Sequence, residues 1–504
     1  MTIKKLPRAT TASKGVDPAG IAAFLDAVVR DQLELHSFML FRGGAVVAEA
    51  FWRPYRADLV HMQHSATKSW MATGVGLAIA EGRFGLADKV VDFFPEHRPA
   101  DIGENLAAMT VEDLLTMRTG HRTGISGGEW RQVKESWIAA FLREPVEERP
   151  GRTFIYSSAS SYILSAIVAR TTGQTMQAYL EPRLFRPLGM GEIRWDLSPE
   201  GVNPGGNGLS CLTEDFLKLG VLHLHGGAWE ERQVLPESWV REATRNQVDE
   251  VIMPSLEGGL RYTPTGTGSA ADRREGYGYQ WWMTPHGGYR ASGLFGQQCI
   301  VLPEADAVIA VTAALRIGEK RLRDAIWGPL VSALGAAADP AGEPGLAARL
   351  ADLALPQVTG APHSPLEGIV SGRRWRIVPN EDSVTEISLD FDDGRCVYTL
   401  TDHRGTHQIA VGLGRAIEGD TTMTGNRLHH EYQPERMRVA AEGAWADEKT
   451  FVMRWQFVET AFGDTVVMRF EGDGVQLARS VNTNAAATER PLLSGRAAPA
   501  AVGA

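Results

Sequence analysis

The spacing of apolar residues differs between two parts of the chain. In the first part, most of the spacing is typical of helices, and runs typical of strands lie near both ends. After Asp17, the residues Ile21, Phe24 and Leu25 recur at helical spacing and predict a first helix. Helical segments fill most of the chain that follows. Apolar runs bounded by glycine or proline predict buried strands at 37–41, 45–51, 277–283, 288–293, 297–303 and 307–312. The order predicts an α+β domain whose antiparallel sheet combines strands from both ends of the domain.

A second pattern, strict alternation of apolar and polar residues, begins at residue 366. Segments such as 386–391 and 450–457 alternate in this way, and glycine turns such as Asp392-Asp393-Gly394 separate them. Many short strands at such spacing favour a small all-β barrel or sandwich. We therefore expect a small β-barrel domain at 366–482.

The stretches outside these two regions lack a regular apolar pattern. Residues 1–16 are typical of a loose N-terminal arm, and 336–365, rich in Ala, Pro and Gly, are typical of an interdomain linker. The alanine-rich end, 483–504, is predicted to be a disordered tail. These limits leave the α+β domain at 17–335.

Composition and charge narrow the classes of function. Apolar residues make up 43% and charged residues 22% of the 504, as in soluble globular proteins. The formal net charge is -10 and the sequence has no basic run, which argues against nucleic acid or an anionic membrane as partner. The chain has no apolar stretch long enough for a transmembrane helix or a secretory leader. We expect a cytoplasmic protein, with a mature secreted form as the alternative.

The cysteines and histidines give no sign of a metal or cofactor. Cys211, Cys299 and Cys396 are odd in number and far apart, so they predict neither a disulfide framework nor zinc ligation. The pair His429-His430 lacks ligands at metal spacing and is interpreted as surface. We therefore expect no cofactor.

The stretch His64-Ser65-Ala66-Thr67-Lys68 opens a buried apolar helix that ends at Gly82. Residues three apart lie above one another on a helix, so the Lys68 amine is expected one turn above the Ser65 hydroxyl. A serine hydroxyl is a poor nucleophile until a base takes its proton. A lysine is such a base only when burial or a helix dipole lowers its pKa. Taken alone, a Ser-x-x-Lys is a weak signal, since short motifs also occur by chance.

Other short motifs lie further along the chain. Tyr156-Ser157-Ser158 precedes an apolar helix, and Ser292-Gly293 lies in a late strand. The segment Gly124-Ile125-Ser126-Gly127-Gly128 has the form Gly-x-Ser-x-Gly, but without the flanking strand and helix of a nucleophile elbow we interpret it as a flexible loop.

Taken in order, these motifs resemble those of the serine β-lactamase and penicillin-binding-protein superfamily, which are Ser-x-x-Lys, Tyr-x-Asn and Lys/His-Thr/Ser-Gly. The resemblance covers residues 17–335 and is closest to a class C-like branch of carboxylesterases, D-aminopeptidases and 6-aminohexanoate-oligomer hydrolases. Residues 366–481 resemble the lipocalin-like domain that some members carry. The resemblance implies a β-lactamase-like antiparallel sheet flanked by helices, with a helical subdomain.

The resemblance also implies a role for each matching residue. Ser65 would be the nucleophile, Lys68 would accept or relay its proton, and Tyr156 would act as base and then as acid for the leaving group. The Lys68 ammonium would lower the pKa of Tyr156. The backbone N–H groups of Ser65 and Leu294 would form the oxyanion hole. The residues expected to bind substrate are Ser158, Ser292, Gly293, Trp281, Trp282 and Phe295.

Two departures from the family pattern bear on the substrate. Ser158 stands where asparagine is usual, and Ala291 stands where lysine or histidine is usual. Alanine makes no charged hydrogen bond, so an uncharged acyl substrate is favoured over an antibiotic. We expect a small ester or amide substrate and a carboxylesterase-like hydrolase. The alternatives are a linear-amide hydrolase or D-aminopeptidase, an acyltransferase, or a non-catalytic binding protein on the same fold. The sequence does not decide the oligomeric state, and a homo-oligomer is one of the alternatives.

Overall fold

The structure is a computed structural model that describes residues 3–248, 250–251, 254–257, 260–264, 276–316, 319–424 and 427–498. The chain divides into two compact units. The first comprises Met1–Trp52 and Arg56–Leu353, and the second comprises Arg53–Tyr55 and Ala354–Ala504. Among the described residues, no helix is both long enough and apolar enough to cross a membrane.

The first unit is built on one antiparallel sheet. Its described strands are β1 (Leu35–Arg42), β2 (Ala45–Phe51), β3 (His61–Met62), β4 (Gly124–Ile125), β5 (Arg194–Trp195), β6 (Leu209–Cys211), β7 (Ala228–Trp229), β8 (Arg232–Gln233), β9 (Pro254–Glu257), β10 (Arg261–Pro264), β11 (Trp282–Met283), β12 (Tyr289–Gly293), β13 (Gln297–Leu302) and β14 (Ala307–Ala313). The main sheet has six strands in the order β11-β12-β13-β14-β1-β2. The predicted sheet, assembled from both ends of the domain, is confirmed.

Helices cover this sheet and form the helical part of the unit. They are α1 (Pro18–Arg30), α2 (Thr67–Ala80), α3 (Glu104–Ala108), α4 (Val111–Leu115), α5 (Gly127–Gln132), α6 (Trp137–Arg143), α7 (Ser158–Thr172), α8 (Met176–Leu180), α9 (Thr213–Leu224), α10 (Glu237–Ala243), α11 (Glu319–Ala325) and α12 (Glu343–Ala351). Most of α2 and α7 is buried, since small or apolar residues occupy nearly every side of both helices. The candidate site lies at the N-terminal ends of these two helices.

The second unit is a closed β-barrel preceded by the short helix α13 (Glu367–Val370). Its strands are β15 (Arg374–Ile377), β16 (Glu386–Asp392), β17 (Arg395–Asp402), β18 (Gly405–Leu413), β19 (Ile417–Thr421), β20 (Met437–Asp447), β21 (Thr450–Gln456), β22 (Gly463–Glu471), β23 (Gly474–Val481) and β24 (Leu493–Ala497). Pairing of β18 with β20 closes a ring that β19 flanks. The prediction of an all-β barrel is confirmed.

The predicted disordered tail is wrong for the residues that the structure describes there. Strand β24 lies between β15 and β23, so it is an integral part of the barrel. Gly495 fits this position because a Cβ on it would lie 2.6 Å from the Ile377 side chain. Most of the alanines that gave this segment the composition of a disordered end lie outside the strand, and Ala486 and Ala487 are exposed.

Two further expectations are also corrected. His429, interpreted as a surface residue, is fully buried in the barrel, and its Nε2 lies 2.6 Å from Asp464 Oδ1. The Gly-x-Ser-x-Gly segment, interpreted as a flexible loop, contains β4 and the start of α5. There the Ser126 hydroxyl caps the helix by accepting a hydrogen bond from the Glu129 N–H at 3.2 Å.

Candidate active site

The serine of the Ser-x-x-Lys motif lies in the 3₁₀ turn His64–Ala66, immediately before α2. The Gln63 N–H donates a hydrogen bond to the Leu209 carbonyl at 2.8 Å, which fixes the backbone directly before this turn. His64 has a φ of 47°, in the left-handed region that a non-glycine residue adopts at a cost of roughly 1–2 kcal/mol. The chain thus presents Ser65 at the N-terminal end of a buried helix through a strained turn.

Lys68 brings its amine to this serine, as the motif predicts. Its Nζ lies 3.2 Å from Ser65 Oγ, 3.1 Å from Ser158 Oγ and 2.9 Å from the carbonyl oxygen of Gly206. The side chain is only 2% exposed, and burial holds the pKa of Lys68 well below its ordinary value. A neutral amine has two hydrogens and one lone pair. The Gly206 carbonyl can only accept a hydrogen, so a neutral amine has one further hydrogen and one lone pair for the hydroxyls of Ser158 and Ser65.

Tyr156 and Ser158 reach the same point from the start of α7. Ser158 is the first residue of this helix and is 1% exposed. The Lys68 Nζ lies 4.7 Å from the centre of the Tyr156 ring. The Ser157 hydroxyl accepts a hydrogen bond from Ile125 N–H at 3.2 Å, which ties this segment to β4. The structure therefore brings together Ser65, Lys68, Tyr156 and Ser158 at the N-terminal ends of two separate helices.

The expectation that Lys68 lowers the pKa of Tyr156 is wrong. Burial raises the pKa of Tyr156 well above its ordinary value, and the neighbouring phenols of Tyr262 and Tyr277 raise it further. Hydrogen bonding with Ser65 opposes this shift without reversing it. Burial thus favours the neutral form of both groups, a free amine beside an un-ionised phenol.

The Ser292-Gly293 motif lies against the serine turn. A Cβ on Gly293 would stand 2.1 Å from the Gln63 carbonyl oxygen and 3.2 Å from the Ala66 nitrogen, so only glycine permits this approach. The Ser292 hydroxyl accepts a hydrogen bond from Gln298 Nε2 at 2.9 Å. Leu294, half-buried, follows directly. This packing is consistent with the Leu294 N–H serving beside that of Ser65, which stays a prediction.

The aromatic residues expected to bind substrate divide into two groups. Trp282 packs against Tyr156, with ring centres 5.4 Å apart, and Phe295 packs edge-on against His64 at 5.1 Å. Trp281 is fully buried in the main core against His223, so this packing does not support its predicted role in substrate binding, which stays a prediction. Adjacent residues of an extended segment point to opposite sides, so only Trp282 of the pair faces the site.

Two contacts in the site were not predicted. The Gly206 carbonyl accepts from Lys68, and a Cβ on Gly206 would stand 2.8 Å from Ser158, which explains the glycine. The glycine-rich stretch 204–208 was the available signal. The second contact is Tyr262 on β10, whose ring meets that of Tyr156 edge-on with centres 4.9 Å apart. No motif marked this tyrosine.

Comparison with known proteins agrees with this arrangement. The family described as Beta-lactamase matches residues 25–328, more than half of the chain. The chain therefore belongs to the beta-lactamase family, and the predicted membership of the β-lactamase and penicillin-binding-protein superfamily is confirmed. The relatives to which it is similar include proteins named as a hydrolase, an esterase and a putative carboxypeptidase.

Individual relatives differ in their activities. The chain is 27% identical over 290 residues to a 6-aminohexanoate-dimer hydrolase of Paenarthrobacter ureafaciens, a match that covers 54% of this chain and 71% of the relative. It is 31% identical over 205 residues to Esterase EstB of Burkholderia gladioli, covering 35% of this chain and about half, 52%, of the esterase. A penicillin-binding-protein homologue from Caulobacter crescentus shares the fold, with a TM-score of 0.50, 18% identity, and coverage of 64% of this chain and 99% of that one.

Proposed function

We propose that this protein is a serine hydrolase that cleaves carboxylic esters through an acyl-enzyme on Ser65. The observation that carries the proposal is the environment of Lys68. Its amine is buried, has a lowered pKa, and lies 3.2 Å from the serine hydroxyl. A free amine held next to a hydroxyl is the base that a serine nucleophile needs.

The proposed first half-reaction follows from these groups. Ser65 Oγ bonds to the substrate carbonyl carbon while its proton passes to the Lys68 amine. The N–H groups of Ser65 and Leu294 stabilise the oxyanion, and each such donor is worth about 3 kcal/mol. The bond to the leaving group then breaks, and the leaving oxygen takes the phenol proton of Tyr156, which the Lys68 ammonium replaces. Water repeats these steps in place of the leaving group and releases the acid.

The proposal of an ester substrate rests on a departure of this sequence from the family motifs and on its similarity to an esterase. Ala291 is fully buried in β12 and presents no cation to an anionic substrate. The similarity to an esterase supports an uncharged ester. The longer match to a 6-aminohexanoate-dimer hydrolase favours amide cleavage as the second candidate.

The test is a panel of p-nitrophenyl acetate and butyrate, linear amides and one β-lactam, applied to the wild type and to Ser65→Ala. We expect wild type to hydrolyse the esters fastest and Ser65→Ala to be inactive on all. Retained turnover in the variant would remove Ser65 as nucleophile, and amides hydrolysed faster than esters would favour the second candidate.

A fluorophosphonate probe distinguishes the remaining alternatives. We expect the probe to label wild type and to leave Ser65→Ala unlabelled. An unreactive wild-type Ser65 would favour the non-catalytic binding protein. Added alcohol that diverts product from the acid to a new ester would identify the acyltransferase alternative.

A further inference from the structure

Two residues with left-handed backbone conformations lie directly beside the expected oxyanion donors. His64 precedes Ser65 and has a φ of 47°, and Phe295 follows Leu294 and has a φ of 68°. Neither is glycine, and a positive φ is a genuine outlier for a residue as bulky as phenylalanine. Conformations of this kind persist only where the surrounding structure holds them, and they cluster at active sites. Each expected donor therefore has a strained neighbour in the chain.

The side chains of these two strained residues contact each other. Their ring centres are 5.1 Å apart and the ring planes are inclined at 88°, the edge-on arrangement in which the positive edge of one ring meets the negative face of the other. His64 is 3% exposed and Phe295 is 2% exposed, so the contact is shielded from water. The Phe295 ring is thus occupied by His64 and has little surface left for a substrate.

Hydrogen bonds hold the turn that carries Leu294. The Gln297 amide, which is fully buried, donates to the Leu294 carbonyl at 3.0 Å and to the Ala313 carbonyl at 2.9 Å. The Leu315 N–H donates to the Phe295 carbonyl at 2.9 Å. The N–H of Leu294 itself has no hydrogen-bond partner among the described residues. This turn is therefore fixed through its carbonyls, while the Leu294 N–H is left for a ligand.

The direction of this N–H follows from the planarity of its peptide unit. The Gly293 carbonyl belongs to the same unit and accepts a hydrogen bond from the Gly296 N–H at 3.3 Å, inside the turn. In a trans peptide the N–H points opposite to the carbonyl, so the Leu294 N–H points out of the turn. Gly293 packs closely against Gln63 and Ala66, two residues at the serine turn. The two turns that carry the expected donors are therefore in direct contact.

An oxyanion hole is effective when its donors are held in place before the charge forms. Preorganised donors stabilise the oxyanion because they need no reorganisation at the moment of reaction. The N–H groups of Ser65 and Leu294 come from turns that are far apart in the chain, and the ring contact joins these turns one residue away from each donor. Without this contact each turn could relax separately, and the distance between the two donors would vary.

We propose that His64 and Phe295 are positioning residues whose ring contact holds the two N–H groups of the oxyanion hole at a fixed separation. This inference rests on the proposed function, because it needs Ser65 as the nucleophile. Neither ring touches the substrate or transfers a proton in this role. The contact acts on the transition state and not on the binding of the uncharged ester, since the oxyanion forms only after attack.

Asparagine substitutions test the ring contact, because asparagine lacks the ring and tolerates a positive φ. We expect His64→Asn and Phe295→Asn each to lower kcat for p-nitrophenyl butyrate about tenfold, less than the loss of a whole donor, and to leave KM within about twofold. The double variant should lose no more than about threefold beyond either single variant, because the same contact is removed only once. Unchanged kcat, a change confined to KM, or losses that multiply in the double variant would each overturn the proposal.

A boronic acid distinguishes a loosened oxyanion hole from a poorly folded variant. Ser65 Oγ bonds to the boron of butylboronic acid while its proton passes to Lys68, so a boron hydroxyl takes the place of the oxyanion. We expect the inhibition constant to rise about tenfold in each single variant, in parallel with the loss of kcat. Each kcat is calculated per site labelled by fluorophosphonate at completion, so an unfolded fraction changes neither value. An unchanged inhibition constant beside a lowered kcat would overturn the proposal.

Two further variants are matched controls. His64→Phe keeps a ring without the nitrogens and should keep kcat within about threefold of wild type. A larger loss would assign the role of His64 to its nitrogens and overturn the proposal. His121 and Phe141 form a ring contact of the same length, 5.1 Å, elsewhere in the first unit. His121→Asn should keep kcat within about twofold, and a loss equal to that of His64→Asn would also overturn the proposal. An unlabelled wild type or an active Ser65→Ala would instead contradict the proposed function itself.

Discussion

Two lysines of the first unit are buried to the same degree but are held by different partners. Lys68 is 2% exposed and Lys218 is 0% exposed, and each follows a polar side chain by three residues on or beside a helix. Lys218 forms an ion pair with Asp215 at 2.9 Å and also donates to the Gly189 carbonyl. Lys68 instead contacts two hydroxyls and a carbonyl.

This difference shows that the groups in contact with a buried lysine, and not burial alone, decide whether it can act as a base. A carboxylate compensates the charge of an ammonium, so the Asp215–Lys218 pair holds α9 against its surroundings. A hydroxyl compensates it poorly, so burial lowers the pKa of Lys68 and favours the neutral form, which can accept a proton. The two sites therefore respond in opposite ways to the same substitution.

The largest expected effect is on turnover. Lys68→Met removes the proposed base while keeping the volume of the side chain, and should lower kcat for p-nitrophenyl butyrate by about a thousandfold or more. Lys218→Met, assayed where it is folded, should keep kcat within about threefold of wild type. An active Lys68→Met would contradict the comparison, because the buried Lys68 amine would then not be needed for catalysis.

The second effect is on stability, and here Lys218→Met should be more damaging than Lys68→Met. Lys218→Met leaves the Asp215 carboxylate buried without its cation, and should lower the free energy of unfolding by about 3 to 5 kcal/mol. Lys68→Met replaces a buried amine by an apolar group and should leave that free energy unchanged or raise it. Urea unfolding followed by fluorescence measures both. A larger loss in Lys68→Met than in Lys218→Met would contradict the comparison.

Tyr156→Phe should have the next largest effect. Without the phenol, the leaving group loses its proton donor, and kcat should fall by about a hundredfold, within the range of acid–base catalysis. The decrease should be greater for an alkyl ester than for a p-nitrophenyl ester, because an alkoxide needs the proton more. Equal decreases on both esters would assign the transfer to Lys68 alone.

The smallest effect is a dependence on pH. Since the amine must be neutral to act as base, kcat/KM should fall as pH drops through the lowered pKa of Lys68. The raised pKa of Tyr156 predicts no alkaline decline near neutrality. The unfolded chain binds a proton at Lys68 that the folded chain lacks, so the contribution of Lys68 to stability should rise with pH up to about 10.5, the ordinary value for lysine. This contribution, measured as the difference between wild type and Lys68→Met at each pH, should be absent in the variant.

Much of the fold and the centre of the site could be predicted because their signals are local. The apolar runs at the two ends of the first domain indicated the sheet, and alternation indicated the barrel. Ser65 and Lys68 are on the same face of one turn, so their contact follows from helical geometry. Gly293 was marked by its motif, and the structure shows that close backbone approach is the reason for this glycine.

The remaining contacts depend on pairings that the sequence does not display. Tyr262 reaches the site only through the register of β10 against β4, two short strands far apart in the chain. The Gly206 contribution is a backbone carbonyl, which has no side-chain signature. The orientation of Trp281 depends on whether it occupies an odd or an even position of its segment, and a shift of one residue exchanges it with Trp282.

The barrel strand β24 has a consequence for how the protein is made. This strand, Leu493–Ala497, pairs with both β15, the first strand of the barrel, and β23, so each of these two strands keeps an open edge until β24 has been synthesised. The first unit can fold during translation before the barrel, which closes only once β24 is available. A chain interrupted before residue 493 would retain the residues of the candidate site but would expose two unpaired strands to aggregation.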